Sequence, residues 1–200
     1  MQKRWIVLCL ILLLSTACNT PVVEKPKQTI GPMIKVFSKA TGIASFGTGF
    51  FVNYKEKVYL ITAYHVTEGR HKLVFKDKSV DILDIEIIKV HTFLEEDVVV
   101  IELQESSIYQ IESYDLYESS ISKKRCEALG FDFDENSVIS RNGGSLSNMF
   151  TLSDCKLICG MSGGPLLVDG KVYAVNVSVC EKDKIESKHA VLSTILNKLP

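Results

Sequence analysis

Short runs of β-branched and aromatic residues, separated by Gly, Asn, Asp and Lys, recur along the chain from Met33 onward. Short runs bounded by turn-forming residues predict the strands of a barrel or a sandwich. About six strands suffice to close one small barrel. A polar stretch at 104–122 divides the runs into two comparable sets, so two barrels are predicted and a sandwich is the alternative. The predicted strands are 33–38, 45–53, 58–62, 72–76, 80–90, 98–103, 125–130, 138–140, 149–157, 165–168, 171–179 and 189–192.

Helix is scarce in this pattern. The sequence predicts one helical turn after Ala63 and a short C-terminal helix capped by Ser193 or Thr194. Hydrophobic residues make up 46% and charged residues 24% of the chain, which is ordinary for a folded protein. The net charge of -1 gives no reason to expect nucleic acid as a partner.

The N-terminal segment has the pattern of a removable export signal. Lys3 and Arg4 form a positively charged region, residues 5–14 form an apolar run, and Ser15-Thr16-Ala17 precedes Cys18. The apolar run is too short for a permanent transmembrane helix. The segment resembles a bacterial lipobox, in which Cys18 becomes the acylated first residue, although Ser15 stands where Leu is usual. Cleavage after Ala17 with an unmodified Cys18 is the alternative, and both interpretations predict export to the bacterial cell envelope.

The chain therefore divides into a signal peptide (1–17), a tether (18–32), an N-terminal β-barrel (33–108), a linker between the barrels (109–122), and a C-terminal β-barrel with a short helix (123–200). The tether prediction comes from two lysines and two prolines without apolar periodicity at 20–29.

Four cysteines lie beyond Cys18, and an oxidising envelope permits disulfides between them. If 155–159 is extended, Cys155 and Cys159 are about 13 Å apart, beyond the limit of about 7 Å between bridged Cα atoms. Each would then pair with Cys126 or Cys180, in either order. A zinc site built from the four is the alternative, although the spacing contains no CxxC pair.

Gly160-Met161-Ser162-Gly163-Gly164-Pro165 is the most specific stretch of the sequence. Glycines lack a Cβ atom, so the backbone here can adopt unusual dihedral angles and a substrate can approach the Ser162 hydroxyl closely. Gly160 allows successive N–H groups to point into one concavity, as the oxyanion hole of a hydrolase requires. A glycine-rich hairpin loop between two apolar strands is the structural alternative.

A serine nucleophile needs a base and an acid that orients the base, and two residues fit these roles. His65 ends an apolar strand where the chain turns, which presents a side chain at a rim. Asp97 leads into 98–101, which has the pattern of a strand buried on both faces, and a carboxylate there is costly unless hydrogen-bonded. The alternatives are a histidine at the core edge and a solvated turn residue. Weaker candidates are His71, His91 and His189 for the base and Asp77, Asp81 and Asp84 for the acid.

These residues resemble those of the chymotrypsin-like (trypsin-like) serine proteases, and more narrowly of compact bacterial peptidases of the HtrA and glutamyl endopeptidase kind. The resemblance covers about residues 33–192 and follows the family order of His, Asp and Ser. It implies an all-β fold of two antiparallel six-stranded β-barrels, with the site in the cleft between them. The matching segments are Gly47-Thr48-Gly49-Phe50-Phe51-Val52, Leu60-Ile61-Thr62-Ala63-Tyr64-His65-Val66, Asp97-Val98-Val99-Val100-Ile101 and 160–166.

The resemblance implies a role for each matching residue. Ser162 would be the nucleophile, His65 the base and Asp97 the orienting acid, with the N–H groups of Gly160 and Ser162 as the oxyanion hole. Met161 stands where the family often has Asp or Asn, so an activating ion pair at this point would lack its acidic partner. The implied wall of the substrate pocket is Lys156, Ala174, Val175, Asn176, Val177, Ser178 and, in the last wall strand, His189.

The sequence therefore predicts an exported serine endopeptidase that cleaves peptide bonds through an acyl-enzyme on Ser162 and requires no metal or organic cofactor. Its expected partners are a protein or peptide substrate and, through a lipid on Cys18, the membrane. The alternative is a lipid-tethered binding module that keeps the barrel fold and has lost turnover.

Overall fold

The computed structural model describes residues 27–40, 43–67, 72–77, 80–82, 86–104, 109–119, 124–132, 137–146, 150–153, 155–177 and 187–200. The predicted signal peptide, Cys18, Ser178 and Cys180 lie outside the described residues. The described chain is mostly β-structure, with two short helices, α1 (Tyr64–Thr67) and α2 (Leu192–Leu196). In this part of the chain, neither helix is long and apolar enough to cross a membrane.

The first half of the chain forms one antiparallel sheet. Its strands are β2 (Met33–Ala40), β3 (Ile43–Tyr54), β4 (Lys57–Ala63), β5 (Lys72–Asp77), β6 (Val80–Ile82), β7 (Ile87–Phe93) and β8 (Val98–Leu103), in the spatial order β6-β5-β2-β3-β4-β8-β7. Lys55 and Glu56 join β3 to β4 with φ angles of 50° and 64°, the left-handed conformation that a two-residue hairpin turn requires. Two further strands, β1 (Gln28–Ile30) and β9 (Tyr109–Ile111), pair in parallel with each other.

The second half forms a closed barrel. Its strands are β10 (Arg125–Phe131), β11 (Val138–Leu146), β12 (Phe150–Ser153), β13 (Pro165–Val168), β14 (Lys171–Asn176) and β15 (Ser187–Val191), in the order β10-β11-β12-β15-β14-β13 with β13 also pairing with β10. Asp169 and Gly170 form the turn between β13 and β14 with φ angles of 51° and 76°. Asp-Gly is a favoured pair for such a turn, so the sequence specifies this hairpin locally.

Strands β3, β4 and β8 bury both of their faces, because successive side chains of a strand point to opposite sides. Phe51, Leu60 and Val99 belong to the apolar cluster on one side of the first sheet. Their neighbours Phe50 and Ile61 join a second cluster, which also contains second-half residues. The second cluster therefore packs the two halves together. It includes Val98, Val100, Phe131, Val175, Leu192 and Ile195.

The all-β class predicted from the sequence is confirmed, and its second barrel closes with six strands. The first half differs in detail, because the predicted strand 80–90 is two strands, β6 and β7. Within the described residues, no ladder joins these two strands, which stand at opposite edges of the sheet. The sequence did not show the boundary between the two strands because β7 is exposed. Ile87, Ile88 and Val90 on β7 are 39%, 56% and 49% exposed, so this strand has no alternation of buried and exposed side chains.

Two short strands lie where the sequence predicted tether and linker. Strand β1 falls within 18–32, and β9 falls within 109–122. Each has only three residues, too few to show a period, and Ile30 is buried at their junction. The predicted caps of α2 are wrong, because the N-cap is Val191 and no side chain caps the helix.

Candidate active site

Strand pairing brings His65 and Asp97 together. Helix α1 follows β4 directly, so His65 lies two residues beyond Ala63, which pairs with Val98 at the start of β8. Asp97, the last residue of the preceding turn, therefore lies opposite the start of α1. Its φ angle is 57°, and the same turn is linked to the C-terminal residues by an ion pair between Lys198 and Glu96.

Asp97 makes three hydrogen bonds to the start of α1. Its carbonyl oxygen accepts from the Tyr64 N–H at 2.9 Å, and Oδ1 accepts from the His65 N–H at 2.9 Å. Oδ2 lies 2.6 Å from His65 Nδ1. Because a carboxylate accepts hydrogen bonds, Nδ1 is the donor in this contact, and in the neutral ring Nε2 is the acceptor. The side chains are 41% and 31% exposed for His65 and Asp97, so the imidazole remains accessible at the surface.

Thr48 on β3 holds the loop 158–164, called the serine loop below, against the first sheet. The Thr48 N–H donates to Ser162 O at 2.8 Å, and Thr48 Oγ1 donates to Gly160 O at 2.7 Å. Thr62 Oγ1, on β4 three residues before His65, donates to Thr48 O at 2.8 Å. Thr48 is fully buried. The backbone of the nucleophile candidate is thus connected through Thr48 to β4, which ends at Ala63, two residues before His65.

Gly163 of the serine loop packs closely against β3 and β4. Its φ angle of 83° is in the left-handed region. A Cβ atom at this position would lie 2.7 Å from the Ala63 nitrogen, which no side chain can tolerate without a shift of the backbone. The sequence therefore needs glycine directly after Ser162, both for conformation and for space.

From Gly160 to Gly163, the amides of the serine loop alternate between unbonded and bonded. The Met161 N–H donates to Ile158 O at 3.1 Å, and the Gly163 N–H donates to Asn176 O at 2.7 Å. In the part of the chain that the structure describes, the N–H groups of Gly160 and Ser162 donate to no protein acceptor. These are the two amides that the sequence assigned to an oxyanion hole, and both remain available to a ligand.

Ser162 and His65 lie on neighbouring segments but are not hydrogen-bonded. His65 bonds to Asp97, and among the described residues no bond joins its Nε2 to Ser162 Oγ. Ser162 is 6% exposed. Bonds between a catalytic base and its nucleophile are often long without substrate and shorten when substrate binds. The catalytic roles of Ser162, His65 and Asp97 stay a prediction.

A family comparison gives this arrangement its context. The profile of the trypsin-like peptidase domain matches residues 47–175, which is more than half of the 200-residue chain. The chain belongs to the trypsin-like peptidase family. The predicted class of serine-type hydrolase is the class of this family. No sequence among the curated proteins matches the chain.

A solved structure shares the fold of this trypsin-like peptidase domain. The crystal structure of the serine endoprotease from Yersinia pestis superposes with a TM-score of 0.69 at 14% sequence identity. The match covers 83% of this chain and 60% of that chain, so the protein spans about 60% of the length of the Yersinia protein. The likeness confirms the predicted chymotrypsin-like fold.

Met161 anchors the serine loop of this trypsin-like domain through apolar contacts. Its side chain is fully buried in the cluster inside the second barrel, with Ala128, Leu166 and Ala174. Met161 also packs over Gly130, where a Cβ atom would lie 2.6 Å from Met161 Cα. The serine loop is therefore held at this position by burial of an apolar side chain.

The predicted pocket wall is mostly interior. Ala174, Val175 and Asn176 have no exposed surface, Val177 is 5% exposed, and Lys156 is exposed. His189 differs from the expectation: it is fully buried, and both ring nitrogens are hydrogen-bonded, to Ser153 Oγ at 2.6 Å and Asn176 Oδ1 at 2.9 Å. In this arrangement His189 has no nitrogen left for a substrate side chain.

No disulfide joins the described cysteines, which are Cys126, Cys155 and Cys159. The sulfur atoms of Cys126 and Cys155 lie 3.6 Å apart in the second barrel, whereas Cys159 is exposed. Among the described residues, no group of His, Cys, Asp and Glu side chains forms a set of metal ligands.

The sequence pattern did not identify Thr48 or Asn176 as residues that hold the serine loop. Thr48 lies in a matching segment and Asn176 in the predicted pocket wall, but their hydrogen bonds depend on contacts between distant strands. Asn176 did leave one signal, because it is a single amide between valines in an otherwise apolar strand. A buried amide requires partners, and this one has Leu129, His189 and, in the serine loop, Met161.

Proposed function

We propose that this protein is a serine endopeptidase in which Ser162 is the nucleophile, His65 the general base and Asp97 the orienting acid. The observation that carries the proposal is the 2.6 Å contact between Asp97 Oδ2 and His65 Nδ1, which fixes the imidazole with Nε2 as a proton acceptor. Supporting it are the amides of Gly160 and Ser162, which have no acceptor within the described protein. Peptide as the substrate class follows from membership of the trypsin-like peptidase family.

The mechanism follows from these atoms. His65 Nε2 takes the hydroxyl proton as Ser162 Oγ attacks the carbonyl carbon of a peptide bond. The negative charge moves to the carbonyl oxygen, where the Gly160 and Ser162 amides stabilise it. The imidazolium gives its proton to the leaving amine, and an acyl-enzyme remains on Ser162. Water, deprotonated by His65, then releases the acid product and regenerates the hydroxyl.

Covalent labelling tests this proposal directly. A fluorophosphonate reacts with a serine only when a base activates the hydroxyl, so we expect wild type to label and Ser162→Ala to remain unlabelled. Ser137→Ala, at an exposed position in the same half of the chain, is the matched control and should label like wild type. Cleavage of denatured casein by wild type, and not by Ser162→Ala, would extend the result from an activated serine to an endopeptidase.

The binding-module alternative gives the opposite result. A wild-type protein that is folded by circular dichroism but neither labels nor cleaves casein would contradict the enzymatic proposal. The same outcome would support a trypsin-like fold that binds a partner without turnover.

We also propose that the protein is exported and anchored by a lipid on Cys18. The support is the charged, apolar and small-residue order of 3–18. Mass spectrometry of the mature N-terminus should find an acylated Cys18, and Cys18→Ser should move the protein from the membrane fraction to the soluble envelope fraction. A mature chain that begins with an unmodified Cys18 would contradict the anchor and leave export intact.

A further inference from the structure

Asn176 is a buried residue of the second barrel whose side-chain amide is hydrogen-bonded at both ends. It is fully buried at the end of β14 and pairs with His189 on β15. Nδ2 donates to Leu129 O at 2.9 Å and, over a longer 3.4 Å, to Met161 O. Oδ1 accepts from His189 Nδ1 at 2.9 Å. Because Nδ2 faces two carbonyl oxygens, the orientation of the amide follows from chemistry.

The backbone of Asn176 bonds to the serine loop on the other side of the nucleophile. The Gly163 N–H donates to Asn176 O at 2.7 Å, and the Asn176 N–H donates to Gly164 O at 2.8 Å. Met161, Gly163 and Gly164 thus all bond to one residue, while Ser162 between them does not. Asn176 therefore fixes the peptide units on both sides of Ser162.

His189 holds the Asn176 side chain in place and is itself held by Ser153. Since Nδ1 faces an amide oxygen, it carries the proton, and Nε2 accepts from the Ser153 hydroxyl at 2.6 Å. Burial lowers the pKa of His189 from 6.5 to about 3, so the ring stays neutral at ordinary pH. A neutral ring with a single tautomer gives Asn176 Oδ1 a permanent donor.

We propose that Asn176 is a positioning residue for the catalytic serine loop and that buried His189, oriented by Ser153, locks the Asn176 amide in its working orientation. The proposal rests on the proposed role of Ser162. It gives His189 a different task from the pocket wall of the sequence prediction, because the ring acts through Asn176 and does not touch substrate. Loss of the lock should disturb the Gly160 and Ser162 amides, and so slow the chemical step more than it weakens substrate binding.

The substitution Asn176→Asp keeps the hydrogen bond to His189 and removes those to Leu129 and Met161. Aspartate still offers an oxygen to His189 Nδ1, but its second oxygen faces the carbonyls of Leu129 and Met161 without a proton to donate. We expect kcat for an activated ester to fall about 10- to 100-fold, with KM within about twofold of wild type. Asn142→Asp, the same substitution at an exposed position on β11, should leave both constants unchanged.

Variants of His189 give a second test. His189→Leu removes the donor to Asn176 Oδ1 and should lower kcat in the same way, whereas His189→Gln offers an amide N–H in its place and should recover most of the loss. An unchanged kcat in both Asn176→Asp and His189→Leu would overturn the proposal. A raised KM with an unchanged kcat would also overturn it, because that result assigns His189 to the substrate pocket.

Nuclear magnetic resonance tests the lock without relying on activity. In full-length Ser162→Ala protein, the His189 imidazole nitrogens should report a neutral ring protonated on Nδ1 from pH 8 to about 4. A ring that titrates near its usual value, or is protonated on Nε2, would refute the network even if the enzyme is active. If wild type fails to label with fluorophosphonate while this resonance pattern is present, the proposed function fails and the buried network stands.

Discussion

Acidification should destabilise this protein through His189 before its carboxylates are protonated. The pKa of His189 falls from 6.5 to about 3 in the folded state because burial disfavours the charged ring. Below pH 6.5 the unfolded chain binds a proton that the folded chain does not, so the stabilisation is complete above 6.5 and is lost as the pH falls toward 3. Each pH unit in this window is worth about 1.4 kcal/mol, so the loss between pH 6.5 and 4.5 is about 2 to 3 kcal/mol. That loss is a large part of a typical total stability of about 5–15 kcal/mol.

Urea unfolding followed by circular dichroism measures this loss. The comparison uses Ser162→Ala protein, which prevents self-cleavage, with and without His189→Gln, at pH 8, 6.5, 5.5 and 4.5. The free energy of unfolding should fall with acid by about 2 kcal/mol more in the protein that keeps His189. His91→Gln is the matched control, because partial burial and Lys89 lower the pKa of His91 in the same direction and its contribution must be separated. Equal losses with and without His189 would refute the reasoning, and His189→Asn gives the same comparison if the Gln variant does not fold.

Three further outcomes are expected. Asp97→Asn should lower kcat on the order of 10⁴-fold in ester hydrolysis with little change in KM, because an amide no longer selects the Nδ1-protonated tautomer of His65; a loss below about tenfold would remove Asp97 from the relay. Thr48→Val should lower the free energy of unfolding in urea by about 1–3 kcal/mol and slow fluorophosphonate labelling, with Thr48→Ser restoring both; labelling at the wild-type rate would contradict a link from Thr48 to the serine loop. Treatment with a thiol oxidant should join Cys126 to Cys155, whose sulfurs are 3.6 Å apart, and a peptide map in which both thiols survive oxidation would contradict this pairing.

Strand identity and the order of the candidate residues could be read from the sequence because they have local signals. The run 98–101 is apolar at every position, and the structure buries it on both faces, one toward each of two clusters. His65 and Asp97 each adjoin such a run, so the pairing of Ala63 with Val98 brings them together. Burial on two faces leaves only strand ends for polar chemistry, and both residues lie at strand ends.

The hydrogen bonds that hold the serine loop could not be predicted from the sequence, because they depend on the register between paired strands. Asn176 meets His189 only because β14 and β15 pair at those two positions, and a slip of one residue would turn one of the two out of the barrel. His189 has a polar sequence context, next to Lys188, which masks its complete burial. Thr48 lies between two glycines in its strand, and this local sequence gives no sign of a structural role for its hydroxyl. The partners of that hydroxyl, Gly160 and Phe131, belong to the other half of the chain.

The parallel pairing of β1 with β9 limits how far a membrane-attached form could reach. Gln28 pairs with Tyr109, so only the residues between Cys18 and Gln28 could separate a lipid on Cys18 from the folded domain. Fully extended, ten residues span at most about 35 Å. Under the proposed lipid anchor on Cys18, the first strand of the protein would therefore lie no farther than this distance from the bilayer surface.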